Sequence, residues 1–365
     1  VATIALAIRN QEFQQGRIFD LDAIDAMRDS LRPIAVPWVT VAAEARRRGL
    51  RLVTADQVGD DASEVRVLAY DWPPVAAELV AHGARAVVLT TLEPPVIAWS
   101  FYADLARLSA GVAHALVFRG AQARLAPGCT FNELRYPQAP RPASSPPDWG
   151  GRTGFLAMIN SNKAIVRSPM RAFDRPRELS LKRELAAWRY RPIGRELYSE
   201  RLRAIRWFAR SSDFDLYGEG WERRHPQVDR ATHAHALRAY RGTTSDKLAT
   251  LGSYRFALAF ENARFDGYVS EKLFDCLYAG AIPVYLGAPD IDRFVPPDAF
   301  VDARRFPSYA ALEAHLRVLS SSQADSHLAA ARAFLASPAF QSFSAERFAE
   351  QVLDLCVRAS DAYWL

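Results

Sequence analysis

Between residues 254 and 301 the chain reads YRFALAFENARFDGYVSEKLFDCLYAGAIPVYLGAPDIDRFVPPDAFV, and its polar residues have the types and order of an anion-binding turn. The apolar run ending at Phe260 reads as a strand that delivers Glu261 and Asn262. Asp266-Gly267 turns the chain, and Ser270 is placed to cap a helix whose first turn carries Glu271 and Lys272. Leu273, Phe274, Leu277 and Tyr278 give that helix an apolar face. Free N–H groups at a helix start, the positive end of its dipole and a lysine beside them make a seat for a diphosphate. The same spacing also suits a structural role, with Glu271 a favourable first-turn acid and Lys272 a solvated charge.

Strands and helices in alternation must position that turn. ATIALAI (2–8), LRLVTA (50–55), VRVLAY (65–70), AVVLT (86–90) and HALVF (114–118) read as strands. VTVAAEARRRG (39–49) and VAAELVAHG (75–83) read as helices ended by Gly, so residues 1–136 form a Rossmann-like half with a parallel sheet. The Pro/Ser-rich stretch 137–151 reads as a linker. Beyond it, 152–342 repeats the pattern: FLAMIN (155–160), an arginine-rich segment, and an amphipathic helix over 195–210 with Leu197, Tyr198, Leu202, Ile205 and Phe208 on one side. FDLYG, YRFALAF, the 270–280 helix, a strand near 282–287 and a helix at 308–319 follow. Pro283 argues that pairing in its strand starts late or lies at an edge. A last helix, 343–357 within a terminal segment 343–365, is placed to pack back across the domains. The fold class expected is α/β with two Rossmann-like domains facing a central cleft, and ligands belong on loops after the strands' carboxyl ends.

Composition sets the outer limits. The chain has 365 residues, half of them apolar and 24% charged, with 46 Lys+Arg against 41 Asp+Glu. Disorder, collagen and coiled coil are excluded by these values and by the aperiodic Gly and Pro. Three cysteines without ligand spacing suggest neither a disulfide framework nor a zinc site, and a reducing compartment fits them. No run approaches the roughly 20 apolar residues of a membrane span. The opening VATIALAI lacks the basic region of a signal peptide, and a chain starting at Val is consistent with a trimmed leader. An excess of five positive charges suits a phosphorylated small molecule or an anionic membrane surface better than a nucleic acid.

YRFALAFEN, then GYVSEKLFDCLYAGAIPVYLG and DRFVPPDAFV, resemble the donor-binding signature of the α-1,3/1,4-fucosyltransferases, glycosyltransferase family 10, in a bacterial-type form. The resemblance is dense from Lys247 to Phe306. It implies a GT-B fold and inverting transfer of L-fucose from GDP-β-L-fucose to a hydroxyl of an oligosaccharide, glycolipid or polysaccharide acceptor, α-1,3 or α-1,4 on N-acetylglucosamine, with no cofactor and no metal. Carried over to this chain, it makes Asn262, Tyr268, Ser270, Glu271 and Lys272 donor contacts. The family's diphosphate-binding arginine on an upstream amphipathic helix falls on Arg195, with Arg201, Arg203 and Arg210 nearby. The family's catalytic base, in a Glu-Ser-Pro-like element after a strand, falls on Glu93 of TLEPP, where it would take the acceptor's proton. Leu92, Pro94 and Ser270 depart from the family's usual residues. The acidic acceptor-side motif has no counterpart, and His114 in AHALVFRG is the acceptor-side candidate. With no membrane span in the sequence a cytoplasmic location is the expectation, and the family's bacterial members suggest peripheral contact at the inner membrane face where glycolipid acceptors sit.

Other readings remain open on the residues alone. The donor could be another GDP-linked sugar. Glu93 and Glu271 could be the two carboxylates of a glycoside hydrolase. A non-catalytic, basic polyanion-binding protein would instead show steep salt dependence.

Overall fold

The computed structural model describes residues 3–27, 32–139, 141, 148–163 and 195–358, the first two of the second stretch and Arg195 by backbone only. Two compact units emerge: residues 1–140 with 341–365, and residues 141–340. Residues 140 and 142–147 of the Pro-rich stretch and the whole arginine-rich 164–194 lie outside the described residues.

The first unit is built on one parallel sheet of six strands in the order β2-β1-β3-β4-β5-β6. These are Thr3–Ala7 (β1), Arg51–Thr54 (β2), Val65–Tyr70 (β3), Arg85–Thr90 (β4), His114–Val117 (β5) and Thr130–Glu133 (β6). All but β6 were legible as short apolar runs. β6, TFNE, is a polar edge strand paired on one side to β5, so it carries no burial signal. The Arg32–Arg47 helix starts well before the expected residue 39 and continues through Pro37. The terminal Ala345–Arg358 helix belongs to this unit. Phe348 meets Trp38 edge-on at 5.5 Å, Trp38 meets Tyr70 at 6.1 Å, and the Arg48 guanidinium reaches Asp354 at 2.6 Å. Fully burying rings of this size stabilises by about 1.5–3 kcal/mol each.

The second unit has five parallel strands in the order β13-β12-β10-β7-β9, with a two-stranded ribbon of β8 and β11. The strands are Gly154–Ile159 (β7), Arg195–Glu196 (β8), Phe214–Tyr217 (β9), Tyr254–Phe260 (β10), Ala263–Arg264 (β11), Ile282–Leu286 (β12) and Val301–Asp302 (β13). β10 is central and almost wholly buried, which is why its sequence is apolar without alternation. Pro283 is tolerated inside the sheet by register: pairing to β10 begins at Ile282, but pairing to β13 starts only at Val284. The Tyr198–Phe208 helix is shorter than the expected 195–210, because Arg195 and Glu196 pair antiparallel with β11. The Ser321–Leu335 helix was not read from the sequence. Half of its buried stripe is alanine, Ala324 and Ala331 beside Leu328 and Phe334.

Among the described residues no helix is long and apolar enough to cross a membrane, and no three His, Cys, Asp or Glu gather to hold a metal ion.

Candidate functional site

The carboxyl end of β10 delivers Glu261 into a fully buried position, with its N–H donating to the Leu286 carbonyl at 2.8 Å. Its carboxylate accepts the Ser270 N–H at 2.7 Å and the Ser270 hydroxyl at 2.6 Å. A buried carboxylate needs such donors, and these lock the loop's end against its beginning. Ser270 is the N-cap of the Glu271–Ala279 helix, its oxygen facing the Lys272 N–H, and Gly280 ends the helix at φ 70°. Leu273, Phe274 and Leu277 are buried as expected, whereas Tyr278 is half-buried. The buried face also holds Cys276 and Asp275, whose carboxylate pairs with Lys247 at 2.5 Å and Arg141 at 3.1 Å.

Two glycines are required by geometry. Gly267 turns the loop at φ 80° and donates its N–H to Asp290 at 2.9 Å. At Gly287 a Cβ would come within 2.4 Å of Glu261 Cγ and 2.2 Å of the Tyr285 hydroxyl, so only glycine lets the strand end pass the buried acid.

Lys272 is the cation at this helix start. Its ammonium lies 2.9 Å from Glu271, 3.2 Å from the Ser270 hydroxyl and 3.9 Å from Glu261. Burial pushes the Glu261 carboxyl up despite the pull of Lys272 and the Ser270 donors. Glu271 shows the opposite balance: burial acts to raise it, but Lys272 and then Lys247 outweigh burial and hold it down at about 2. One carboxylate is thus a structural anchor under the helix cap. The other stays charged beside the lysine, able to accept hydroxyl donors.

Asn262 and Tyr268 sit behind this turn. The Asn262 amide donates to the Tyr268 hydroxyl at 3.3 Å, and its carbonyl oxygen accepts from Arg201 at 2.9 Å. Arg201 is buried, donates from Nε and Nη2 to the Phe260 carbonyl at 3.1 and 2.6 Å, and lies 5.0 Å over the Tyr198 ring. Burial lowers its pKa, opposed by Tyr198, Glu261, Tyr268 and Glu271. Arg201 is the arginine that the helix itself brings to the site. Its signal was available: it falls three residues after Tyr198 and four before Ile205, on the apolar side. Arg203 and Arg210 are surface residues, paired with Glu200 and stacked on Trp207. Arg195 does not start the helix; it stands on β8 opposite Arg264, and its side chain lies outside the described residues.

In the first unit, Glu93 follows the carboxyl end of β4 and is half-buried. The Glu93 N–H donates to the Thr91 hydroxyl at 3.2 Å, and the Tyr102 hydroxyl donates to its carbonyl at 2.9 Å. His114 does not share that end. It opens β5 opposite Val88, whereas Thr90 at the end of β4 pairs with Leu116. Its Nδ1 is buried without a partner, and burial, then Arg358, lowers its pKa. The register therefore separates the two candidates of this unit.

Residues 179–348 match the family described as glycosyltransferase family 10 (fucosyltransferase) C-term. The chain is 41% identical over 69 residues to an α-(1,4)-fucosyltransferase of Arabidopsis thaliana, covering 19% of this chain and 17% of that one. It is 34% identical over 152 residues to a 4-galactosyl-N-acetylglucosaminide 3-α-L-fucosyltransferase of Gorilla gorilla gorilla, covering 41% of this chain and 37% of that one. The chain thus spans well under half the length of these relatives. Across 98% of its length it superimposes, at TM-score 0.55 and 10% identity, on 99% of the crystallised Anabaena Alr3699/HepE, a likeness of fold. Two parallel-sheet α/β units of this kind make the fold GT-B-like. The match from 179 to 348 contains the whole Glu261–Lys272 turn, and that part of the chain is similar to the C-terminal domain of the glycosyltransferase family 10 fucosyltransferases.

Proposed function

We propose that the protein is an inverting fucosyltransferase that moves L-fucose from GDP-β-L-fucose to a hydroxyl of a glycan acceptor. One observation carries the donor half: Lys272 stands at the start of the Glu271–Ala279 helix, fixed between the Glu261–Ser270 anchor and the ionised Glu271, inside the segment that matches the family. A leaving diphosphate would meet a cation and free backbone N–H groups there, which stabilise the charge that develops as the glycosidic C–O bond breaks. Glu271 would accept hydroxyls of the sugar or ribose. Arg201, Asn262 and Tyr268 hold the shape of the turn from behind, and Arg195 would add a second cation to the diphosphate.

Glu93 would act as general base. In an inverting displacement the acceptor oxygen attacks the anomeric carbon opposite the leaving group while one carboxylate takes its proton. The peptide of Glu93 is held at both its N–H and its carbonyl, which restricts where its carboxylate can go. The donor nucleotide is tested by calorimetric titration with GDP, UDP and ADP. Selective GDP binding is expected, and equal affinity for all three would end this reading. Transfer is tested with GDP-fucose over a panel of galactosyl and N-acetylglucosaminyl acceptors.

A further inference from the structure

One cation of the donor turn has no task in the chemistry above. Arg264 follows Asn262 by two residues, on the short ribbon that β11 makes with β8. Burial alternates along this stretch: Asn262, Arg264 and Asp266 are half-buried, whereas Ala263 and Phe265 are buried. The ladder carries on to Asn262, whose carbonyl accepts the Leu197 N–H at 2.9 Å. Extended backbone sends successive residues to opposite faces, so Arg264 shares the face of Asn262 and not that of Ala263.

Among the described residues of the second unit, every other buried or half-buried arginine has a partner. Arg152 donates to the Gly252 and Tyr254 carbonyls, Arg201 to Phe260 and Asn262, and Arg304 to Asp302 and Pro289, while Arg255 lies over the Trp149 ring. Arg264 has neither an ion pair nor a hydrogen bond to any described residue. Asp266 on its own face makes no ion pair with it, and the Glu196 carboxylate, from the residue across from Ala263, accepts the Ser199 N–H at 2.9 Å. Withdrawing a guanidinium from water without an acceptor is costly. The register adds to that cost, because Arg264 stands opposite Arg195 and like charges at paired positions destabilise a ribbon. A bound anion offsets both.

Resting on the fucosyltransferase reading, we infer that Arg264 is a further phosphate-binding residue of the donor site: its guanidinium meets the oxygens of the nucleotide diphosphate from the ribbon, while Lys272 meets them from the helix start. A planar guanidinium takes two phosphate oxygens at once and so fixes their orientation, where a lysine supplies only a point charge. The two cations stand on elements tied together by the Glu261–Ser270 bonds. The charge that grows on the diphosphate as the sugar leaves is then met by a grip set in advance. The same fork would also fit an anionic group of the acceptor, and the experiment separates the two sources.

The test uses the full chain and compares wild type with Arg264→Gln and Arg264→Lys by calorimetric titration with GDP, by the thermal shift in saturating guanosine, and by transfer from GDP-fucose to the acceptor panel above. Arg264→Gln should weaken GDP binding by roughly 10- to 30-fold, the size of one charge-assisted contact. Arg264→Lys should lose less, because the charge stays and only the fork goes. Guanosine carries no phosphate and should shift all three proteins alike. At saturating donor the acceptor KM should not move. Free of nucleotide, Arg264→Gln should melt no lower than wild type, since no partner is lost and a repulsion is relieved; a merely structural arginine would lower the melting temperature. Unchanged GDP affinity in Arg264→Gln, an equal loss for guanosine, a raised acceptor KM with GDP affinity intact, or a lower melting temperature without nucleotide would overturn the proposal. A wild type that does not bind GDP would instead overturn the reading beneath it.

Discussion

The Glu261 carboxylate grips Ser270 twice, taking its N–H at 2.7 Å and its hydroxyl at 2.6 Å. That pair fixes where the Glu271–Ala279 helix begins, and hence where its free N–H groups and Lys272 stand. The arrangement separates residues that bind from residues that hold, and each kind fails differently when changed.

Lys272→Ala should weaken GDP binding by roughly 30- to 100-fold, the loss of one charge-assisted contact at a desolvated phosphate. Turnover should fall with it. Glu93→Gln should leave the GDP dissociation constant within about twofold and reduce transfer by at least roughly 100-fold, the range of a lost general base. Calorimetry beside a transfer assay reads both. Equal losses of GDP affinity would contradict the assignment of these two residues to separate tasks.

Arg201→Lys keeps the charge but loses the fork that meets the Phe260 carbonyl and Asn262 together. A lysine cannot reproduce that planar geometry. Urea unfolding should show a loss of about 2–3 kcal/mol, and Arg201→Met should cost less than its lost hydrogen bonds suggest because it leaves no buried charge unpaired. A surface arginine would show neither effect.

Glu271 is held at about 2, below its ordinary 4.5, by Lys272 and Lys247 in spite of burial. A lowered acid contributes stability that is complete above about pH 4.5 and disappears as pH falls toward 2. The contribution is at most about 3 kcal/mol. The difference in unfolding free energy between wild type and Glu271→Gln should therefore shrink steadily between pH 5 and pH 2.5. A difference that stays constant over that window would show that the lysines do not act on Glu271 in this way.

Gly287→Ala places a methyl group 2.4 Å from Glu261 Cγ and 2.2 Å from the Tyr285 hydroxyl. The strand end must shift, at a cost of about 1–3 kcal/mol. Thermal melts should show the loss, and GDP affinity should fall as the Glu261–Ser270 anchor moves.

The turn from β10 into the helix was legible because local rules agree there: an unbroken apolar strand, Asp-Gly, a serine cap and first-turn charges. All five strands read in the first unit match observed strands within one residue at either end. What stayed hidden depends on tertiary placement. β6 has no apolar pattern, and alanines conceal the Ser321–Leu335 helix. Arg201 looked like one arginine among many, although its spacing put it with Tyr198 and Ile205. Asp71 sits in YDWPP with no local sign of strain; its left-handed backbone comes from the tie to Thr90 on the next strand. His114 was read as an acceptor-side candidate from its strand alone, and only the register shows that it opens β5 while Glu93 follows the end of β4.

The chain leaves its first unit after Pro140 and comes back to it at Gln341. A ribosome therefore finishes residues 141–340, as a continuous stretch, before the other unit has received Phe348 to set against Trp38. The nascent protein can close its later-encoded lobe first, while the six-stranded sheet waits for the last helix to emerge from the exit tunnel.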